Sequence, residues 1–171
     1  GLLHKSRTDD AETIVVCLGS ITGTMRDVVD SRRAAGEKIG VLSLVSFRPF
    51  PRMAVRDALA HAKTVVVLEK AFSVGIGGIV ASNVRTALAD VHIDQYELIA
   101  GLGGRDITQA SLNDYLDKVA AGEMKHFKFL DLNRELVDRE LERERSTRRS
   151  GSIPENMIKD ISKMMTQEVA R

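Results

Sequence analysis

The chain has 171 residues, 43% hydrophobic and 29% charged, a globular mixture that excludes a disordered chain and, at this length, buries about 70% of its unfolded surface. Its 25 Lys plus Arg balance 24 Asp plus Glu, a formal net charge of +1, so no overall field draws it to nucleic acid or to an anionic membrane, and neither is expected as a partner. One cysteine rules out a disulfide framework, and the absence of any apolar stretch near the roughly 20 residues of a membrane span gives the expectation of a soluble, cytoplasmic protein.

Residues 14–18 are a β-branched run ending at Gly19, and residues 21–35 place Met25, Val28 and Val29 on one helical face. Cys17 lies inside the run and is expected as core filler. Gly36 stops the helix, and 39–47 (IGVLSLVSF) is apolar enough to be a strand covered on both faces. Pro49 holds Arg48 extended and ends that strand, and Pro51 suits the first turn of a helix over 52–61. Residues 63–68 (KTVVVL) read as a central buried strand, because the run is apolar without alternation. A glycine-rich connection over 73–78 leads to a helix ending near Asp90, and 95–100 (QYELIA) and 108–121 give a fourth strand and helix. Residues 2–7 suit an edge strand.

Right-handed crossovers place such helices on both faces of the sheet, so the expected fold is a three-layer α/β/α sandwich over residues 1–122. Beyond it the composition shifts. Between Arg134 and Arg149 eleven of sixteen residues are charged, six basic and five acidic, which suits an exposed helix with i,i+4 pairs such as Glu135 with Arg139 and Glu144 with Arg148. Ser152-Ile153-Pro154-Glu155 has the form of a capping box, and Met157, Ile158, Ile161, Met164 and Met165 follow at helical spacing. Residues 123–171 are therefore expected as a charged helical arm with a terminal amphipathic helix, docked on the sheet or on a partner.

Three strand ends carry glycines: Gly19 with Gly23, Gly75 with Gly77 and Gly78, and Gly101 with Gly103 and Gly104. Such loops share the ligand-binding edge of an open α/β sheet and can cradle phosphate on backbone amides. None has G-x-G-x-x-G or G-K-[ST] spacing, so tight turns are the favoured reading. Four scattered histidines and one cysteine assemble no metal site, and no serine elbow or Cys–His pair marks a nucleophile. Glu69 beside Lys70 is expected in an ion pair or facing solvent, with a buried acid as the alternative. Arg48 and Arg105 stand at strand-end turns beside Pro49 and Gly104, where a held guanidinium suits a carboxylate, a phosphate or a neighbouring domain.

The segments A-E-T-I-V-V-C-L-G-S-I-T-G-T (11–24), G-V-L-S-L-V-S-F-R-P-F-P (40–51), T-V-V-V-L-E-K-A-F-S-V-G-I-G-G (64–78) and I-A-G-L-G-G-R-D-I (99–107) together resemble the alpha subunit of 2-oxoacid:ferredoxin oxidoreductases, the pyruvate:ferredoxin oxidoreductase family. The likeness covers 8–121 and is to the second domain of that subunit, which is transketolase C-terminal-like. It implies a mostly parallel five-stranded sheet whose first strand is antiparallel.

For function, the resemblance implies a non-catalytic structural or assembly domain of an enzyme that oxidatively decarboxylates a 2-oxoacid on thiamine diphosphate, reduces ferredoxin through iron-sulfur clusters and usually delivers the acyl group to coenzyme A. Thiamine diphosphate, Mg and the clusters are then expected on the complex and none on this chain alone, since one cysteine cannot ligate a cluster. The implied partners are the thiamine-binding beta subunit, the gamma subunit and the ferredoxin-like subunit, with coenzyme A and ferredoxin meeting the whole complex. On this reading the chain is a split subunit or part of a longer one, inactive by itself. No catalytic residue is expected; Arg48, Pro49, Gly103, Gly104, Arg105 and Asp106 are the expected contacts to neighbouring domains. The alternatives are a self-contained nucleotide- or cofactor-binding domain using the glycine turns, and the equivalent domain of a transketolase or pyruvate dehydrogenase.

Overall fold

The β-branched runs and glycine stops become alternating strands and helices in the computed structural model, which describes residues 1–146. In chain order the elements are β1 (Leu3–Ser6), β2 (Thr13–Leu18), α1 (Ile21–Ala34), β3 (Ile39–Leu44), α2 (Arg52–Leu59) and β4 (Thr64–Glu69). There follow β5 (Phe72–Ser73), β6 (Gly77–Gly78), α3 (Ile79–Ala87), β7 (Asp94–Ile99), α4 (Gln109–Ala120), β8 (Phe127–Phe129) and α5 (Arg134–Ser146).

The main sheet has the order β1-β3-β2-β4-β7-β8, and all pairings are parallel except β1 on β3. Register aligns Val15 of β2 with Val41 on one side and Val66 on the other, so the central strands bury both faces, as parallel sheets must. Period-2 alternation divides the core. Val15, Val41, Val66 and Leu98 meet Met25 and Val28 of α1 and Leu112, Tyr115 and Leu116 of α4. Ile14, Val16, Leu42, Val65 and Val67 meet Val55 and Leu59 of α2 and Val80 and Val84 of α3 on the other face. The expected three layers, the mostly parallel sheet and the antiparallel first strand are all present.

The sheet has six strands where five were expected. Phe127, Lys128 and Phe129 pair in parallel with Glu97, Leu98 and Ile99, and the first unit extends to Asp131, nine residues past the expected boundary at 122. Two phenylalanines around one lysine suffice for an edge strand whose inner face alone is covered. The strand expected over 39–47 stops at Leu44, where Val45 and Ser46 turn their amides to the Leu2 carbonyl, at 3.0 and 3.1 Å.

A second unit begins at Leu132. Its described part is α5, exposed along its length, with the Leu136 amide donating to the Asn133 side chain at 3.0 Å and Arg143 paired with Glu140 at 3.6 Å. The terminal methionine-bearing helix expected from the sequence, and the Arg148 partner of Glu144, lie outside the described residues.

Candidate functional site

Parallel strands end together, so the loops after β2, β3, β4 and β7 share one edge of the sheet, the edge where α/β folds place ligands. At the β2 end, Cys17 is fully buried and its sulfur meets Thr22 Oγ1 at 3.5 Å, which in turn meets Ser43 Oγ at 3.0 Å. Burial pushes the Cys17 thiol above its ordinary value, so it stays protonated at neutral pH, a core group rather than a nucleophile or ligand.

The β4 end corrects the reading of Glu69. Its side chain is neither ion-paired nor solvent-facing: it is 4% exposed, and its two oxygens accept the amides of Val80 and Ala81 at 2.8 and 2.9 Å. These are first-turn amides of α3, which have no partner within the helix, and they sit at the positive end of the helix dipole. Burial raises the Glu69 carboxyl above its ordinary value, opposed by the Val80 and Ala81 amides and reinforced by the nearby Glu97 charge. Glu97 accepts the Gly78 amide at 3.1 Å and pairs with Arg85 at 2.6 Å. A β-carbon on Gly78 would stand 2.1 Å from Glu69 Oε1, so glycine is required there for close approach, not for a phosphate. The protein's own carboxylate occupies the place an anion would take.

The sequence-predicted contact residues fall into two loops that the sheet keeps apart. The Arg48–Pro49 peptide is cis; Arg48 is exposed, lies 4.0 Å from the Phe47 ring centroid and donates from Nη1 to the Phe47 carbonyl at 2.8 Å. Gly103 and Gly104 have φ of 67° and 77°, a left-handed pair that swings the chain outward. Arg105 follows, exposed, with Nη1 donating to the Asp131 carbonyl, and Asp106 is exposed beside it. β3 and β7 are three strand spacings apart in the sheet order, about 14 Å, so the two arginines act at separate points of one edge.

Sequence reasoning missed what surrounds them. Leu18 ends β2, Leu2 meets Val45 beyond β3, Met53 opens α2, Phe72, Val74 and Ile76 form the β5–β6 hairpin, and Leu102 follows β7; all are exposed large hydrophobics. They lie on the same edge, because β1 runs antiparallel and brings Leu2 there. The signal was in the sequence as apolar residues inside glycine-rich loops, where turns ordinarily carry polar ones.

The described residues do not fit the metal or the iron-sulfur clusters that the resemblance implied for the enzyme as a whole. Among the described residues no group of three or more His, Cys, Asp or Glu side chains could hold a metal, and the one cysteine is walled into the core. No helix of the described residues is long and apolar enough to cross a membrane.

The geometry is that of an α/β/α domain with a capped helix start and an apolar strand-end edge. Residues 11–112 match the family described as pyruvate:ferredoxin oxidoreductase core domain II, and the chain belongs to that family. It is 41% identical over 144 residues to the pyruvate synthase subunit PorA of Methanosarcina barkeri, covering 80% of this chain and 36% of that one. It is 35% identical over 125 residues to the alpha subunit of the NADH-dependent phenylglyoxylate dehydrogenase of Aromatoleum evansii, covering 70% and 30%. The chain thus spans about a third of the length of these relatives. A solved 2-oxoglutarate:ferredoxin oxidoreductase from Magnetococcus marinus, with 2-oxoglutarate, coenzyme A and succinyl-CoA bound, shares the fold at TM-score 0.51 and 16% identity over 68% of this chain and 19% of that one.

Proposed function

We propose that this chain is the framework domain of a thiamine diphosphate-dependent 2-oxoacid:ferredoxin oxidoreductase, carrying no bond-making group and holding the cofactor-bearing parts in register. The observation that carries the proposal is the filled start of α3: with Glu69 on the Val80 and Ala81 amides, the glycine loop that opens this helix serves packing, and the self-contained nucleotide-binding alternative loses that cradle. Family membership and the apolar strand-end edge support the same reading. Its rate contribution is geometric, since a reacting group displaced by about 1 Å costs roughly 100-fold. Thiamine diphosphate, Mg and the clusters reside on the partners: a thiamine-binding beta subunit, a gamma subunit and a ferredoxin-like subunit. Coenzyme A and ferredoxin meet the assembled enzyme in the cytoplasm, and the helical arm beyond the sheet reaches another subunit.

The test is purification of the enzyme through this chain from its natural host, followed by intact mass, iron and sulfide analysis and an oxoacid-dependent ferredoxin reduction assay. Co-elution of a thiamine-binding polypeptide, iron and activity in one peak is the expected result. Turnover of an oxoacid by this chain alone, or micromolar binding of a dinucleotide to it, defeats the proposal.

A further inference from the structure

The β5–β6 hairpin is built to hold an apolar tip in water. Ile76 donates its amide to the Ser73 carbonyl at 3.1 Å and Gly75 has φ of 82°, so Ser73 to Ile76 form a tight turn with glycine at the position a type II turn requires. Two-residue strands are not stable by themselves, and this pair is anchored at its base. Phe72 packs on Phe127 and Phe129 with ring centroids 5.9 and 5.2 Å away, and Gly78 is tied to Glu97 while Glu69 caps the helix that follows. All this order presents Val74, 89% exposed, and Ile76, 61% exposed. Fixed apolar side chains with no cover on their own domain mark an interaction site, and their fixed geometry lowers the entropy lost on docking.

We infer that Val74 and Ile76 form an anchor that seats in an apolar socket on the rest of the oxidoreductase, in the polypeptide that lies outside this domain. The inference rests on the proposed function and names its contact. The chain covers only 36% of the Methanosarcina barkeri relative, so most of such a subunit must meet this domain somewhere, and the hairpin lies inside the family-matched segment. Lys70 lies at the base of the hairpin and across Gly101, with its Cε 3.1 Å from the place of an added β-carbon, and Arg105 continues the Gly101 loop. The socket therefore has carboxylates at its mouth. A second copy of this chain fits poorly: the tip is convex, and a cleft among the described residues lies at the opposite edge, lined by the charged Glu12, Arg32, Glu37 and Lys38. Tip-to-cleft contacts between copies would also run head to tail.

The test places benzoylphenylalanine at position 74 of the full-length polypeptide in the assembled enzyme and identifies the photo-cross-linked peptide by mass spectrometry. A cross-link to oxidoreductase sequence outside these 171 residues is expected. A cross-link to a second copy of this chain, or none in an enzyme that has assembled, overturns the anchor and leaves the proposed function standing; failure to find any complex overturns both. In parallel, Val74→Asp with Ile76→Asp should lower the yield of assembled enzyme at least about tenfold, with the far-ultraviolet circular dichroism of the full-length polypeptide unchanged, because neither side chain packs within its own domain. Normal assembly of the double variant also overturns the anchor.

Discussion

The two edges of the sheet are finished in opposite ways. At the amino edge the charges answer one another: Arg32 donates to Glu37, Asn113 and Asp117 at 2.9, 3.1 and 2.7 Å, Arg33 grips Asp10, Arg56 grips Asp90, and Glu12 lies between Lys38 and Lys63. The side-chain hydrogen bond from Arg33 holds the Asp10 carboxyl below its ordinary value, and Lys63 with Lys38 does the same to Glu12. At the carboxyl edge, Arg48 and Arg105 turn to backbone carbonyls of their own domain and the exposed apolar side chains gather between them. A surface meant for water pairs its charges and sheds its apolar groups. One edge pairs its charges; the other leaves its apolar side chains exposed.

The contrast breaks most easily at Glu69, whose role lies inside the domain although it stands at the open edge. Glu69→Ala strands the buried Val80 and Ala81 amides and leaves a void, and should cost about 3 kcal/mol of stability in urea unfolding. A loss under about 1 kcal/mol would mean that the capping bonds contribute little. Next comes Arg32→Ala at the closed edge, where three hydrogen bonds and a buried guanidinium are lost while the carboxylate partners keep their water; about 2 kcal/mol is expected, with assembly unaffected. Glu69→Gln keeps the shape and one good acceptor, and should cost about 1 kcal/mol. Its pH dependence has a definite sign. Because the folded-state value of Glu69 lies above its ordinary one, the stability linked to its proton is present below the ordinary range and lost as pH rises through the folded value. The gap between wild type and Glu69→Gln should therefore be widest in acid and narrow toward neutrality; the surface carboxylates are common to both proteins and cancel. A gap that widens toward neutrality would put the folded value of Glu69 below the ordinary one.

What the sequence made legible was whatever its periodicity repeats. Strands β2, β3 and β4 are apolar runs, β7 ends in Leu98-Ile99 before Gly101, and the helices between them carry stripes at 3.6-residue spacing, so the layers and their order followed. β8 escaped because three residues, Phe127-Lys128-Phe129, are too short a run to read as a period, and it forms by pairing with Glu97 to Ile99. The β5–β6 pair escaped for the same reason at two residues a strand. Glu69 was misread because sequence neighbours are not spatial ones: Lys70 adjoins it in the chain, yet the groups that bind it are backbone amides eleven and twelve residues on. Arg48, Pro49, Gly103, Gly104, Arg105 and Asp106 lie in loops at strand ends, while the apolar side chains that give that edge its character carried no motif.

The smallest effect on stability is the most informative about the open edge. Arg105 is exposed, and its bond to the Asp131 carbonyl joins two loops in water, so Arg105→Ala should change the unfolding free energy by no more than about 0.5 kcal/mol. Arg48→Ala should cost no more than about 1 kcal/mol, since an exposed cation over a ring contributes only about 0.5–1 kcal/mol and Phe47 keeps its packing on Phe50. If these arginines pin the domain to its neighbours, both variants should fold normally yet assemble poorly, with lower turnover of the whole enzyme and a smaller particle by native mass. Arg105→Lys then discriminates further, because a lysine keeps the charge but loses the planar fork that binds a carboxylate through two bonds. Rescue by lysine would mean that charge alone holds the contact, failure that the fork is required, and normal assembly of all three variants would assign the edge to its apolar residues alone.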